Sequence, residues 1–583
     1  MLTRRFALGS TFCLLVVLPL AFSGYSRGEG KRGRSLATTI LSLPAAHTWF
    51  VRADGGDRRQ CTGKADAAYR GSGTMQPCAF KHPYYLFTND QYGNKAWVVE
   101  GGDAVIIRNG PYRMGYKGPG RKDIWGNCPG DPYGCSMPPI PSGTSERPTR
   151  FLGENYRTCD RKTQLFGGYA LGAIVNLMGS KYVDVECLEL TDHGQCLRNS
   201  ASYKAGEGCH TSPPLSDYAA AGIVTDAGTS SVTLKNLDIH GLMSRGIIGA
   251  VGGKVVADHV RIAFNGGAGW DFDDGHRTKS AAGASVQASY LIVEWNGCNE
   301  EYPITHAIPA HSCFDQDNGG YGDGVGTPDT PLDFTCDHCT FRYNTQDGLD
   351  LLHVSGSLIS IRNSTSYGNM GQQWKMGPMK SLIFQNNVTV HNCRRLSADM
   401  PGAPKDYNKH LSDFCRAAGD GVALLVNDGG TYVFQNNSFA GYGATSYDIS
   451  CSGGPCTKPN IIFQNNLHVG YINPKSGQRP GVFYMAGLPR DPFSARNHNI
   501  YYNMRTCPTG DAELCSDPKI ANLPKWEGEA SLDGIDFHLT RSSPARGAAI
   551  VIPSLEEDHD GVRSTTKSRS DIGAYILHSG SRP

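Results

Sequence analysis

The 583-residue sequence carries almost no net charge that would attract a partner over a distance. Its 55 lysines and arginines balance 54 aspartates and glutamates, which leaves a formal net charge of +1 at pH 7. This balance supplies no overall field for nucleic acid or for steering a polyanion. We therefore expect no nucleic-acid partner, and an anionic ligand has to be held by a local site.

Long apolar segments are absent beyond the N-terminus. Residues 1–23 contain two arginines, an apolar run from Phe6 to Leu20, and then Ala21-Phe-Ser23. This order is typical of a secretory signal peptide, which is removed from the mature protein. An uncleaved anchor is the alternative, although the run is short for a spanning helix. We expect a secreted protein, extracellular or periplasmic, with no membrane attachment after cleavage.

The cysteine content agrees with export. Of 19 cysteines, Cys13 lies in the predicted signal peptide, which leaves an even number to pair in an oxidising compartment. Short separations predict the local disulfides Cys61–Cys78, Cys128–Cys135, Cys451–Cys456 and Cys507–Cys515. The other pairings stay open.

The spacing of the cysteines also disfavours a zinc site. Cys336-Asp-His-Cys339 has the CxxC spacing of a zinc ligand pair. However, neither a second CxxC nor paired histidines follow at the separation that zinc fingers use.

The sequence also lacks the 3.6-residue periodicity of helical repeats. Short runs that alternate apolar and polar residues recur every 23–31 residues, among 72 glycines and 33 prolines. Alternation over four to six residues indicates strands, and the breakers between runs indicate turns. The repeat is the length of one coil of a solenoid. We therefore predict an all-β fold, a right-handed parallel β-helix with capping segments and long disulfide-held loops.

Asparagines end many of these runs. Phe-Gln-Asn-Asn occurs in related form at 384–387, 434–437 and 463–466. Asparagines at one turn position of successive coils can form a ladder of amide hydrogen bonds, and we expect Asn363 to lie over Asn387. Asn363, Asn387 and Asn436 also match glycosylation sequons, but a ladder position inside the stack is not accessible to a glycan.

The ends of the chain are predicted to close the solenoid. Segments near 47–57 and 102–112 resemble the opening of secreted β-helix proteins, and segments near 536–545 and 571–575 resemble their closing part. Such covers protect strand edges and core at the terminal coils.

The predicted domain organisation follows from these ends. It comprises a signal peptide (1–23), a linker (24–46) and one β-helix domain (47–583), with an N-terminal cap and first coils (47–180), central coils (181–500) and a C-terminal capping segment (501–583). Residues 113–165 and 197–220 are predicted to be long loops.

Four polar residues repeat at the coil spacing and predict a common wall. Asp323 and Asp347 are 24 residues apart, and Asp350 and Lys375 are 25 apart. Adjacent coils bring side chains at equal positions close together. Clustered carboxylates repel one another unless a cation lies among them, and hard oxygen ligands favour Ca²⁺. A lysine beside that cation is expected to have a lowered pKa and to serve as a base.

These residues carry a resemblance to a known family. Gln346-Asp-Gly-Leu-Asp-Leu351 resembles the Asp-Asp-Gly-Trp-Asp-Leu signature of polysaccharide lyase family 9, the pectate lyases with a ten-coil β-helix. Gly322-Asp-Gly324 resembles the segment of that family with another calcium ligand. Gln373-Trp-Lys-Met-Gly377 resembles the segment with its Brønsted base.

The resemblance implies roles for individual residues. Asp323, Asp347 and Asp350 become calcium ligands and Lys375 the base. Gln346 stands where the family has the first aspartate of a pair, so an oxygen remains and a charge is lost. The implied reaction is β-elimination on an acidic, uronate-containing polysaccharide.

Neighbouring residues are candidates for substrate contacts. Lys380, Arg394 and Arg395 are expected to hold further uronate carboxylates. Trp374 either stacks on a sugar or packs beside the base. We expect a monomer, and the identity of the polysaccharide stays open.

Two other functions remain compatible with the sequence. Asp-Gly is a common turn dipeptide and Lys375 can be an ordinary surface lysine, which would leave a non-catalytic β-helix that binds glycans or serves as a cell-surface structural module. The acidic cluster Asp271-Phe-Asp-Asp274 suggests a polygalacturonase-like hydrolase with an acid and a base. A supporting arginine-histidine pattern is not evident.

Overall fold

A computed structural model of the chain describes residues 44–89, 95–108, 110–115, 136–168, 171–194, 217–272, 279–298, 300, 302, 322–327, 330–391, 420–441, 443–472, 477–523, 536–553, 555, 557–563 and 571–577. The predicted signal peptide, Cys128–Cys135, Arg394 and Arg395 lie outside these residues. Within them, no helix has the length and apolarity to cross a membrane.

Three long parallel sheets form the walls of the protein, and they confirm the predicted right-handed parallel β-helix. The chain visits the sheets in turn, so strands that are neighbours in a sheet are one coil apart in sequence. Among the described residues, the first sheet has 13 strands. They are β1 (Thr48–Gly56), β4 (Ala104–Arg108), β6 (Thr149–Gly153), β9 (Lys181–Glu186), β12 (Ser230–Lys235), β15 (Lys254–Asp258), β18 (Ser285–Ser289), β21 (Asp333–Asp337), β24 (Leu358–Arg362), β27 (Ser381–Gln385), β30 (Thr431–Gln435), β33 (Asn460–Gln464) and β36 (Phe493–Asn497).

In the part of the chain that the structure describes, the second sheet has 12 strands and the third has 10. The second contains β5 (Tyr112–Arg113), β7 (Thr163–Gly167), β10 (Leu188–Asp192), β13 (Asp238–His240), β16 (Arg261–Ala263), β19 (Ile292–Glu294), β22 (Thr340–Arg342), β25 (Thr365–Tyr367), β28 (Val388–His391), β31 (Ser438–Gly441), β34 (Leu467–Gly470) and β37 (Ile500–Tyr502). The third contains β8 (Leu171–Asn176), β11 (Ala219–Val224), β14 (Arg245–Ile248), β17 (Trp270–Asp271), β20 (Val325–Gly326), β23 (Leu349–Leu351), β26 (Trp374–Met376), β29 (Val422–Val426), β32 (Thr445–Cys451) and β35 (Gly481–Ala486).

Two antiparallel pairs and one short helix complete the described elements. The pairs are β2 (Phe87–Asn89) with β3 (Lys95–Trp97), and β38 (Ile520–Asn522) with β39 (Asp536–Leu539). A 3₁₀ helix spans Pro83–Leu86, and all four of its residues are buried.

Alternation along each strand builds the core. In β24 and β26 every second residue is buried, and the buried residues of successive coils stack into one apolar cluster along the helix. Burying apolar area at about 25 cal/mol per Å² is the main stabilising contribution for such a stack. The polar residues between them point outward, so each sheet presents a column of side chains one coil apart.

The corner between the first and second sheets explains the asparagines. Asn363, Asn386, Asn436 and Asn465 each have a φ near +50°, a left-handed conformation that asparagine tolerates better than most residues. The next residue in each coil forms a buried ladder, in which Asn466 Nδ2 donates to Asn499 Oδ1 at 3.0 Å.

The prediction that Asn363 lies over Asn387 is therefore wrong by one position. Asn386 Nδ2 donates to Asn363 Oδ1 at 3.1 Å, whereas Asn387 Oδ1 accepts from the backbone N–H of Ser364. The ladder continues from Asn387, whose backbone N–H donates to Asn437 Oδ1 at 2.9 Å.

Disulfides follow the sequence in part. Cys61–Cys78, Cys451–Cys456 and Cys507–Cys515 are present as predicted. Cys336 and Cys339 are bonded to each other, so neither sulfur is available to zinc. Cys159–Cys187, which the sequence left open, joins the loop after β6 to the chain just before β10.

Part of the predicted C-terminal cap packs along the side of the solenoid. His559 contacts the backbone oxygen of Asn386 at 2.8 Å, Ile550 N donates to Asn465 Oδ1 at 3.0 Å, and Ala574 N donates to Ser438 Oγ at 2.9 Å. The segment thus covers the asparagine corner of several coils, where backbone groups and amides offer hydrogen bonds.

Candidate active site

The third sheet brings the predicted residues into one column. Gly326 of β20 pairs with Asp350 of β23, and Asp350 pairs with Lys375 of β26. Lys375 lies between Trp374 and Met376, which are both fully buried. Because side chains alternate across a strand, Lys375 and Asp350 point outward from the same wall.

Backbone N–H groups orient all three aspartates. Asp323 Oδ1 accepts from the N–H of Asp347 at 3.0 Å, and Asp347 Oδ1 accepts from that of Gln372 at 2.7 Å. Asp350 Oδ1 accepts from the N–H of Leu352 at 2.9 Å. In each case one oxygen is held by the scaffold, which aims the rest of the carboxylate into the site.

The carboxylates converge around the lysine. Asp323, Asp347 and Asp350 each offer an oxygen within 4.8 Å of the others. Lys375 Nζ lies 2.6 Å from Asp347 Oδ2 and 3.0 Å from Asp350 Oδ2. Asp347 is fully buried, and only 15% of the Lys375 side chain is exposed. The convergence has the geometry expected from the coil spacing.

The protein groups around Lys375 raise its pKa, whereas a neighbouring cation is expected to lower it. Burial lowers this pKa, but the charges of Asp347, Asp350 and Asp323 outweigh burial and hold it above its ordinary value. Burial and the neighbouring carboxylates raise the pKa of Asp323 well above the usual range. The site therefore places three carboxylates around one ammonium group, whose single positive charge does not balance them.

This donor set fits a calcium ion. Three carboxylates that reach a common point supply the hard oxygen ligands and the charge that Ca²⁺ prefers. Burial is the main cause of the raised pKa of Asp323, and the negative charges of Asp347 and Asp350 add to it; a divalent cation relieves this second contribution. Asp323, Asp347 and Asp350 are the residues that would hold it.

Two predicted residues lie deeper in the wall. Gln346 is fully buried, with its backbone N–H donating to Gly322 O and its carbonyl accepting from Gly371 N. Its role as a calcium ligand stays a prediction. Trp374 is fully buried, and its Nε1 donates to Thr389 Oγ1 at 2.8 Å. Of the two roles expected for Trp374, its burial fits packing beside the base and does not fit stacking on a sugar.

Lys380 and Asp271 do not belong to the group of three converging carboxylates. Lys380 is exposed in the turn between β26 and β27, the strand at which the chain enters the first sheet. Asp271 lies in the same column two strands before Asp350, where its Oδ2 accepts from Arg245 Nε at 2.5 Å. The other two aspartates of the proposed hydrolase cluster, at 273 and 274, are outside the described residues.

A second acidic group further along the wall was missed from the sequence. Asp420-Gly-Val422 stands at the same coil position as Asp323-Gly-Val325, since Gly421 N donates to Thr445 O as Gly324 N donates to Asp347 O. One coil later, Asp448 occupies the position that Asp350 has in its own coil. The recurring Asp-Gly-apolar motif was the available signal.

Comparisons with known proteins concern the fold. No family model and no curated protein matches the chain. A pectate lyase, Pel9A, matches with 13% identity and a TM-score of 0.44, over 93% of this chain and 98% of that one.

Two further solved structures match with lower scores. A rhamnogalacturonan lyase matches with 10% identity and a TM-score of 0.33, over 85% of this chain and 97% of its own. An alginate lyase from Paenibacillus sp. str. FPU-7 matches with 11% identity and a TM-score of 0.31, over 68% of this chain and 93% of its own. The assignment of this chain as a parallel β-helix rests on its own three parallel sheets.

Proposed function

We propose that the protein is a secreted, calcium-dependent polysaccharide lyase that cleaves a uronate-containing polysaccharide by β-elimination. The observation that carries this proposal is the position of Lys375 Nζ, 2.6 Å from Asp347 and 3.0 Å from Asp350, on an outward column of the third sheet. A potential base thus adjoins a set of oxygens suited to a divalent cation.

Lys375 is the residue that removes the proton. Its amine, once neutral, accepts the proton from C5 of the uronate, and the electron pair of that C–H bond forms the C4–C5 double bond. The glycosidic oxygen leaves from C4 with the bonding pair and takes up a proton from water. Burial disfavours the ammonium form, whereas the three carboxylates favour it. Calcium, when held by these carboxylates, supplies positive charge that offsets this effect and that stabilises negative charge on the substrate carboxylate.

The carboxylates hold their positions without rearrangement. Their anchoring oxygens accept backbone hydrogen bonds from the coil wall, which fixes the others relative to Lys375. Such preorganisation lowers the cost of placing charge at the moment of reaction.

Export is supported by the disulfides, which persist in oxidising compartments.

The decisive experiment measures the absorbance of the unsaturated uronate product. The mature protein is incubated with a panel of acidic polysaccharides in calcium, and then with a chelator. We expect product with calcium and none with chelator. Lys375→Ala and Lys375→Arg should both be inactive, because a guanidinium stays protonated and cannot accept the proton. Lys254→Ala, at an exposed lysine of the first sheet, is the matched control and should keep full activity.

The alternative is a non-catalytic β-helix that binds glycans. Binding of a polysaccharide without product formation, in calcium and across the panel, would favour that alternative. Unaltered activity of Lys375→Ala would instead show that another group is the base.

A further inference from the structure

The outward column that contains Lys375 continues past it for three more coils. Lys375 pairs in register with Ala423, Ala423 with Asp448, and Asp448 with Tyr484. Coils are about 4.8 Å apart, so Asp448 lies roughly 10 Å from Lys375 along the helix axis. A pyranose ring is about as long as one coil is high, and a sugar chain along this column therefore meets these residues in order.

Negative charge dominates the wall at Asp448. Asp448 is partly exposed, and Ser450 Oγ donates to its Oδ1 at 3.3 Å. Asp420 lies nearby and accepts from Thr445 Oγ1 at 2.8 Å. Burial raises the pKa of Asp420 to about 6, with the charge of Asp448 adding to the effect. Burial also raises the pKa of Asp448, and in their ionised forms the two groups present two negative charges.

This group repeats the coil positions of the proposed calcium site with one carboxylate fewer. Asp420, Thr445 and Asp448 occupy the coil positions of Asp323, Asp347 and Asp350, and a threonine hydroxyl replaces the central carboxylate. In the next coil, the register position that corresponds to Lys375 is held by Tyr484.

Tyr484 adds an aromatic surface beside this carboxylate. It is 57% exposed, although it is a large side chain on a regular strand. An exposed tyrosine ring offers an apolar face to the C–H groups of a sugar and a hydroxyl for hydrogen bonding. Such a surface suits a neutral sugar ring.

On the other side of Lys375, the described register positions of the column carry no further basic residue. It runs through Asp350 and Gly326 to Asp271, which is engaged with Arg245. From Asp271 to Tyr484, Lys375 is the single basic residue of the column. At these described register positions, a polymer with a carboxylate on every sugar meets the lysine and three aspartates.

We propose that the sugar lying over Asp448 and Tyr484 is neutral, so that the preferred substrate is a heteropolysaccharide in which the reacting uronate is separated from other uronates. The inference rests on the proposed lyase function and names its substrate class. Asp448 disfavours a uronate at this position by like-charge repulsion, a form of specificity by exclusion. Tyr484 favours the neutral ring by stacking on it.

The test compares two classes of polymer under one set of conditions with calcium. Polygalacturonate and alginate have a uronate at every position. A rhamnogalacturonan backbone, hyaluronan and gellan place neutral sugars between uronates. For each polymer kcat/KM is measured from the product absorbance, with wild type, Asp448→Asn, Tyr484→Ala and the control Asp184→Asn, which removes a carboxylate of the first sheet. Circular dichroism and the thermal midpoint confirm that each variant is folded.

We expect wild type to prefer one of the interrupted polymers by about tenfold or more in kcat/KM. Asp448→Asn should narrow this preference several-fold by improving turnover of the homopolymers, and Asp184→Asn should leave it unchanged. Tyr484→Ala should raise KM on the interrupted polymer more than it changes kcat.

Three results would overturn the inference. Equal or better cleavage of polygalacturonate or alginate by wild type would do so while leaving the lyase function in place. If Asp448→Asn does not alter the preference for interrupted polymers over homopolymers, the inference is likewise overturned and the lyase function stays in place. Absence of product from every polymer would remove the proposed function, and the inference would fall with it.

Discussion

Lys375 Nζ and Asp347 Oδ2 lie 2.6 Å apart although their residues belong to successive coils, and the aspartate is fully buried. Such a pair is an interaction between neighbouring rungs of a parallel sheet. It stabilises the wall locally, and it also places the proposed base in contact with the proposed metal ligands. Stability and calcium binding at this site should therefore be linked.

Removal of Lys375 should destabilise the protein in the absence of calcium. The expectation for an ordinary surface lysine is a negligible effect, but this side chain is only 15% exposed and balances buried carboxylates. Lys375→Ala should lower the free energy of unfolding by about 3 kcal/mol, because a buried charge is left without its partner. Thermal unfolding in chelator measures the loss, with Lys254→Ala as the control.

Calcium should restore much of the stability lost in Lys375→Ala. The cation takes over the compensation of three carboxylates, so its addition should raise the thermal midpoint of the variant more than that of wild type. Equal midpoint shifts in the two proteins would contradict the linkage between Lys375 and the carboxylates.

Each converging carboxylate should contribute to calcium affinity. Asp350→Asn removes a charge from the cluster but keeps the side-chain shape, so the calcium-induced rise in thermal midpoint should shrink or disappear. Asp337→Asn is the matched control, since this aspartate is exposed on the first sheet. Isothermal titration with Ca²⁺ gives the affinities directly. An unchanged affinity of Asp350→Asn would exclude Asp350 as a ligand.

The buried asparagine ladder should contribute strongly to stability. Asn466 donates to Asn499 Oδ1 and to Phe434 O, and its own Oδ1 accepts from Asn437. Asn466→Ala leaves these groups unpaired in the interior, and we expect a loss of about 2–3 kcal/mol in denaturant unfolding. Asn363→Ala, at the partly exposed corner, should cost much less. Similar losses at both positions would contradict this role of burial.

His240 should make stability depend on pH above neutrality. Burial lowers the pKa of His240, but its interactions with Glu189 and Glu300 prevail and raise the pKa to about 10. Since the unfolded value is about 6.5, the stabilisation is complete below pH 6.5 and is lost as the pH rises towards 10. The unfolding free energy of wild type minus His240→Gln should be on the order of a few kcal/mol at pH 6 and should shrink by pH 10.

His468 provides a contrast of opposite sign. Burial lowers its pKa to about 3, so the neutral ring is the folded form. Protonation of the unfolded chain should then cost wild type stability as the pH falls from about 6.5. The advantage of wild type over a His468→Leu variant should decrease in acid, whereas the advantage over His240→Gln should persist there. Parallel pH profiles for the two histidines would contradict these assignments.

Periodicity in the sequence was sufficient to predict the coil and the wall with Asp323, Asp347, Asp350 and Lys375. Their separations of 24 and 25 residues equal one coil, and stacked coils convert equal spacing into spatial proximity. Local disulfides were also predictable from the sequence, because cysteines that are close in sequence cannot lie far apart in space.

Predictions that depend on a shift of a single position along the chain required the tertiary structure. Corner residues with positive φ shift the ladder by one position, so Asn363 meets Asn386 and not Asn387. Trp374 and Lys375 are adjacent in sequence, yet alternation across β26 buries the first and turns the second outward. A strand of three residues is too short for the sequence pattern to show which face is inside.

The sequence by itself determined the repeat, the fold class and the proposed catalytic wall, because these depend on local spacing and alternation. Only the tertiary structure decided that Asp448 and Tyr484 continue that wall. Lys375 and Ala423 are neighbours in the third sheet but 48 residues apart, about twice the usual coil, since a long segment lies between β28 and β29. Backbone hydrogen bonds between the two coils keep Lys375 and Ala423 in register, and their spacing in the sequence does not reveal this relation.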